Sequence, residues 1–158
     1  MTAFQPYNHD MPHYFNSPGA GVAFRVNGDP APQGSKRGFS RVGSTHVVMV
    51  EASTKVKPWR AAVVDAAVDA MNGRAPLAGP VTVMVSFRLA KPKSVKRDLP
   101  SVRPDLDKLA RSTMDALTTA QVVADDSQVC DLWVSKRYGI PGADITVTCT
   151  PDTKEAAA

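Results

Sequence analysis

Val81-Thr-Val-Met-Val-Ser-Phe-Arg-Leu89 decides how the chain is read. Val81, Val83, Val85, Phe87 and Leu89 alternate with Thr82, Met84, Ser86 and Arg88. A period of two belongs to a strand that buries one face, so a sheet with a covered side is expected here. Upstream, Pro58 can open a helix in its first turn, where a missing N–H costs nothing. Trp59, Val63, Ala66, Ala67 and Ala70 then recur at helical spacing, and Gly73 closes the run. Before it, His46-Val-Val-Met-Val50 reads as a strand by β-branching. Gly28 to Arg37 reads as a loop by its Gly and Pro content, and Ala23-Phe-Arg-Val-Asn27 as a short first strand.

Downstream, Lys91 to Arg103 is a basic, proline-bearing connector. A second helix is expected from about Leu106 to Thr119, with Leu106, Leu109, Ala110, Thr113 and Leu117 as its apolar stripe. Val129 to Tyr138 and Ile145 to Cys149 are the last two strands, joined near Gly139-Ile-Pro-Gly142. The order β-β-α-β-α-β-β predicts an α+β domain over residues 21–150, with one mixed, mostly antiparallel sheet and two main helices on one face. Residues 1–20 show no period and read as a flexible arm; residues 151–158 read as a disordered tail.

The 158 residues suit one domain and one core. Apolar content of 43% and charged content of 22% are ordinary for a globular protein. A net charge of +4 and a pI near 9.2 lean toward a polyanionic partner. No run of eighteen apolar residues argues for a membrane span, and the N-terminus lacks the basic-then-apolar pattern of a signal peptide. A cytoplasmic location is therefore expected. Cys130 and Cys149 are too few for a disulfide framework and read as small buried thiols. His9, His13 and His46 are scattered and carry no metal-site pattern. Trp59 reads as core. Trp133 alternates with Asp131 and Ser135 and is left open between solvent and a partner chain.

Against this basic background, Asp105, Asp107, Asp115, Asp125 and Asp126 form an acidic knot. On a helix, Asp105 and Asp107 would lie about 200° apart. They converge only if the chain is still extended at Asp105, which Pro104 favours. Asp107, Arg111 and Asp115 recur at intervals of four and share the polar face. Asp125-Asp126 arrive at the entry to the Val129 strand, where a short connection could return one of them to the helix start. Two or three carboxylates suit Mg²⁺, with water and phosphate oxygens completing the octahedron. Such a metal activates water and stabilises charge on a phosphodiester. The same residues also fit a structural role. Asp is a favoured helix cap, Asp107, Arg111 and Asp115 could be an ion-pair ladder, and Asp125-Asp126-Ser127 could be a turn. Lys36, Arg37, Lys91, Lys93, Lys96, Arg97 and Arg103 read either as phosphate contacts or as solvated loop charge, and the same holds for Lys136 and Arg137.

Arg103-Pro-Asp-Leu-Asp-Lys-Leu-Ala-Arg111, then Asp115-Ala-Leu117 and Asp125-Asp-Ser-Gln-Val129, resembles the RusA family of Holliday-junction resolvases. Val26 to Arg37 and Lys91-Pro-Lys-Ser94 resemble that family's first strand, basic loop and basic lead-in, so the likeness covers roughly residues 22–150. The resemblance implies a RusA-like fold and a homodimeric, Mg²⁺-dependent endonuclease, with Mn²⁺ able to substitute. It would nick four-way DNA junctions in symmetric pairs, with no membrane and no small-molecule substrate. Asp105, Asp107 and Asp126 would be the metal-binding, catalytic carboxylates, with Asp125 ranked below Asp126. Lys108 would join the seven loop cations in binding DNA. The family's essential lysine falls on Arg111, and its common asparagine falls on Lys108. If that lysine only stabilises phosphate charge, Arg111 can serve; if it must lose a proton, Arg111 cannot. Three rivals stand beside this reading: a branched-DNA binder that does not cut, a nuclease for other branched or single-stranded DNA, and a metal-free structural protein. A phage or prophage origin is compatible with the short basic chain.

Overall fold

The computed structural model describes residues 21–34, 36–40, 47–51 and 54–150, with only the backbone for 36–40 and 47–51. The expected arm, the expected tail and all three histidines lie outside the described residues, as do the side chains of Lys36 and Arg37. The strands are β1 (Gly21–Asn27), β2 (Lys36–Ser40), β3 (Val47–Glu51), β4 (Val81–Leu89), β5 (Val129–Tyr138) and β6 (Gly142–Cys149). The helices are α1 (Val56–Met71) and α2 (Leu106–Thr119), and a 3₁₀ turn spans Asp126–Gln128.

The main sheet has the order β1-β6-β4-β5. β1 pairs with β6 and β6 with β4 antiparallel, whereas β4 and β5 run parallel. The expected α+β class and mixed, mostly antiparallel sheet are therefore present. One strand was not foreseen. Lys36–Ser40 pairs with β3 as a separate two-stranded ribbon, Lys36 opposite Glu51 and Ser40 opposite Val47. The Gly and Pro content of residues 28–34 is a sound loop signal, but it does not extend to Lys36 and Arg37, whose partner is set across the ribbon.

Alternation along β4 decides which face is covered. Val81, Val83, Val85 and Phe87 are buried, and across the register so are Ala143, Ile145 and Val147 of β6. Helix α1 lays Val56, Trp59, Val63, Ala67 and Met71 into this core, with the Trp59 and Phe87 rings 6.3 Å apart. Pro58 sits in the first turn of α1, where it removes no intrahelical bond. The helix stops at Asn72, which takes the left-handed conformation, followed by Gly73 at φ 75. At the β5–β6 corner, a Cβ on Gly142 would lie 2.3 Å from the Val26 carbonyl oxygen, so only glycine lets β1 approach.

Two buried polar residues on α2 are fully used. The Ser112 hydroxyl donates to the Ala31 carbonyl at 2.7 Å, tying the loop after β1 to the helix. Thr113 accepts from the Trp59 indole N–H at 3.3 Å and joins the two helices. Pairing removes the cost of burying these groups. The cysteines depart from expectation, since Cys149 is partly buried and Cys130 exposed. Cys130 falls where the β4–β5 register shifts between Val81 and Thr82, so no β4 residue stands opposite it on this edge strand.

Phe87→Ala should lower the unfolding free energy by about 3–5 kcal/mol in chemical denaturation. Met84→Ala, on the less covered face of the same strand, should cost clearly less.

Candidate active site

The acids sit in the connection between β4 and β5. Asp105 is the N-cap of α2, with extended backbone at φ −69 and ψ 136, as convergence with Asp107 required. Its backbone carbonyl accepts from the Leu109 N–H at 3.1 Å, but its carboxylate makes no capping hydrogen bond. That carboxylate instead meets the Lys108 ammonium at 3.1 Å. Asp107 lies in the exposed first turn of α2, near the positive end of the helix dipole.

At the other end of the connection, Asp125 does what a structural aspartate does. Its carboxylate accepts from the Ser127 N–H at 2.9 Å and caps the 3₁₀ turn. Hydrogen bonds from the Ser127 side chain, and then from its backbone, hold the Asp125 carboxyl below the usual carboxylate range. Gln128 completes the capping box, its Oε1 accepting from the Asp125 N–H at 3.2 Å and from the Ala124 N–H at 2.8 Å. Asp126 is the first residue of the turn, exposed, with no hydrogen-bond or ion-pair partner for its carboxylate among the described residues. The cap role thus falls to Asp125 and leaves Asp126 available.

Between α2 and β5 runs a groove of about 630 Å³. Asp107, Arg111, Asp115 and Asp126 rim it over an apolar floor that includes Met114 and Leu132. Arg111 stands one helical turn beyond Asp107 on the same wall. The alternative in which Asp107, Arg111 and Asp115 form an ion-pair ladder is not seen among the described residues, and Asp115 instead pairs with Arg60 of α1. Asp107 and Arg111 have no charged partner among the described residues.

The groove keeps its acids apart. Helix α2 runs back along the sheet, so its start lies beside the end of β5, while Asp126 lies before the beginning of β5. Lys136, near the end of β5, reaches the carbonyl of Pro104 just ahead of α2. At about 3.3 Å per residue, β5 from Val129 to Lys136 spans roughly 23 Å. The expectation that a short connection returns Asp126 to the helix start is therefore not met within one chain. Among the described residues no three acidic, histidine or cysteine groups gather as a metal cage.

The basic residues cluster at the Asp105 end. A second cleft, of about 280 Å³, is lined by Lys55, Arg97, Arg103, Pro104 and Tyr138. Arg97 Nε donates to the Tyr138 hydroxyl at 3.1 Å, and Lys91 lies 5.6 Å above that ring. Lys93 and Lys96 are exposed on the same connector. Lys91 also stands 3.7 Å from Asp98. The segment from Arg103 to Asp107 thus separates a basic cleft from the acid-rimmed groove. Lys55 and Tyr138 had no sequence signal. Gln128 was legible as the glutamine three residues after an aspartate, the spacing of a capping box. Carboxylate oxygens suit a hard cation such as Mg²⁺, and the neighbouring cations suit phosphate.

Asp125 should titrate below the ordinary carboxylate midpoint in side-chain NMR. A folded pKa that is lowered means its cap is intact at neutral pH and is lost only as pH falls through that lowered value. The Ser127 amide should lose exchange protection over the same acid range.

The model of the family described as endodeoxyribonuclease RusA matches residues 27–148. The uncharacterized protein YqaN of Bacillus subtilis (strain 168) is similar at 32% identity over 129 residues, covering 74% of this chain and 87% of that protein. With its acidic groove, its basic cleft and a match over most of its length, the chain belongs to the RusA family of endodeoxyribonucleases.

Proposed function

We propose that the protein is a Mg²⁺-dependent endonuclease that resolves four-way DNA junctions by symmetric paired nicks. The observation that carries the reading is the placing of exposed Asp107, Asp126 and Arg111, none with a charged partner among the described residues, on one groove beside a basic cleft, in a RusA-family chain. Bound Mg²⁺ would supply an activated water and neutralise charge at the scissile phosphate. Asp107 and Asp126 would hold it, and Asp105 would join them by leaving Lys108. Arg111, which stays charged, would offset the charge that builds on the phosphate. Arg97, Arg103 and Lys93, with Lys91, Lys96 and Lys108, would hold the sugar-phosphate backbone without reading its sequence. Lys36 and Arg37 would extend that grip.

The separation of the acids supports a homodimer. A metal takes oxygens at about 2.1 Å and cannot bridge the length of β5. An antiparallel second copy laid along the groove would set Asp126 of one copy beside Asp107 of the other, twice, about one two-fold axis. Leu132, 46% exposed on the groove face of the edge strand β5, is a side chain such a partner would cover.

A labelled mobile four-way junction should be nicked in symmetric pairs with Mg²⁺ or Mn²⁺ and not with EDTA. Asp107→Asn and Asp126→Asn should each abolish nicking while leaving junction binding. Arg111→Ala should slow it by about 10²–10³-fold, and Arg111→Lys should keep it. Mixed dimers of Asp107→Asn and Asp126→Asn chains should recover one intact site and make single nicks. Binding without any nicking would favour the non-cutting binder. Equal cutting of flaps or single strands would favour the broader nuclease.

A further inference from the structure

The groove holds its two acidic segments at opposite ends of β5, and one residue at each end grips them: Lys136 within the strand and Gln128 immediately before it. At the far end, the Lys136 ammonium donates to the Val102 carbonyl and to the Pro104 carbonyl, each at 2.8 Å. These two carbonyls bracket Arg103, and Pro104 is the residue immediately before Asp105. At the near end, the Gln128 carboxamide makes four hydrogen bonds. Its oxygen takes the Ala124 and Asp125 N–H groups, and its nitrogen donates to the Leu77 and Gly79 carbonyls at 2.9 Å each. The turn that carries Asp126 is thereby pinned to the connection between α1 and β4.

We infer that Lys136 and Gln128 are positioning residues that set the two acidic ends of the groove at a spacing fixed by β5. This rests on the nuclease reading and deepens it. Three features favour a positioning role over the phosphate contact that a strand-end lysine first suggests. Two of the three donors of Lys136 are already committed to backbone carbonyls. Those carbonyls belong to an irregular connector that no ladder holds, so the lysine supplies what a sheet would otherwise supply. The residue is also only partly exposed, on the same face of β5 as Val134 and Leu132 that line the groove. Gln128 meets the same test, since every polar position of its amide that the turn and the connector can reach is filled. A rigid strand is the right ruler for this task, because its length changes little while loops drift. In a two-fold assembly an error at either end would be felt in both composite sites.

The experiment compares wild type, Lys136→Met and Gln128→Met in two assays. One is single-turnover and steady-state junction nicking; the other is Mn²⁺ affinity of the DNA-free protein by calorimetry, with the thermal midpoint recorded for each chain. Positioning predicts that each variant lowers kcat and Mn²⁺ affinity by about 10–100-fold while KM for the junction stays within about twofold. For Lys136→Met, a raised KM with unchanged kcat and unchanged Mn²⁺ affinity would make the residue a phosphate contact and overturn its assignment. Wild-type values in both assays for both variants would overturn the inference while leaving the nuclease reading in place. A wild-type protein that neither binds Mn²⁺ nor nicks would overturn the nuclease reading and the clamps with it. Should Lys136→Met fail to fold, Lys136→Gln carries the comparison with a shorter neutral donor. Gln128→Glu does the same at the other end, keeping the acceptor half of the clamp and losing the donors to Leu77 and Gly79.

Discussion

The parallel pairing of β4 with β5 is the constraint on which the rest of the molecule depends. Antiparallel neighbours can be joined by a tight turn, but parallel ones need a long crossover. Here the crossover is the whole of residues 90–128, and it contains the basic connector, α2 and the capped turn. Every candidate catalytic residue lies within it. Because α2 must run back along the sheet to bring the chain to the start of β5, its N-terminus and the Asp126 turn are set at opposite ends of one groove. The separation of the acids is thus a consequence of topology, and the proposed homodimer would reunite them.

The same topology sorts the aspartates by task. Asp125 and Asp126 are neighbours of the same chemistry, yet one caps a turn and the other faces the groove. Asp105 has the backbone of a cap and does not use its carboxylate as one. Asp115 looks equivalent to Asp107 by helical spacing, but Arg60 from α1 claims it. An aspartate becomes available for chemistry when no nearby donor satisfies it first, and donors are distributed by the packing of distant segments.

Cations divide in the same manner. Lys91, Lys93, Lys96 and Arg97 stand on the connector, exposed or shared with Tyr138 and Asp98, where a phosphate could reach them. Arg25 and Arg88 both pair with Asp144 across β1, β6 and β4, with Arg25 2.7 Å from its carboxylate, and serve the sheet. Lys136 looks like the connector lysines in the sequence and behaves like neither group, since its ammonium is spent on backbone carbonyls.

What the sequence determined by itself was everything that depends on local period and local chemistry. The bounds of β4, β5 and α2, the core face of Val81 to Phe87, the buried Trp59 and the extended entry at Asp105 all follow from side-chain alternation, helical spacing and proline. The spacing of the acids from Arg103 to Val129 was enough to suggest the family. Tertiary structure alone decided the partners. It placed β2 beside β3, left Cys130 exposed at a register shift, gave Asp115 to Arg60, and put Asp107 and Asp126 at the two ends of the groove. The physical reason is that alternation tells a residue which face it occupies, but not what stands opposite. Strand direction and crossover path are non-local choices, and hydrogen-bond partners such as those of Lys136 and Gln128 exist only once those choices have been made.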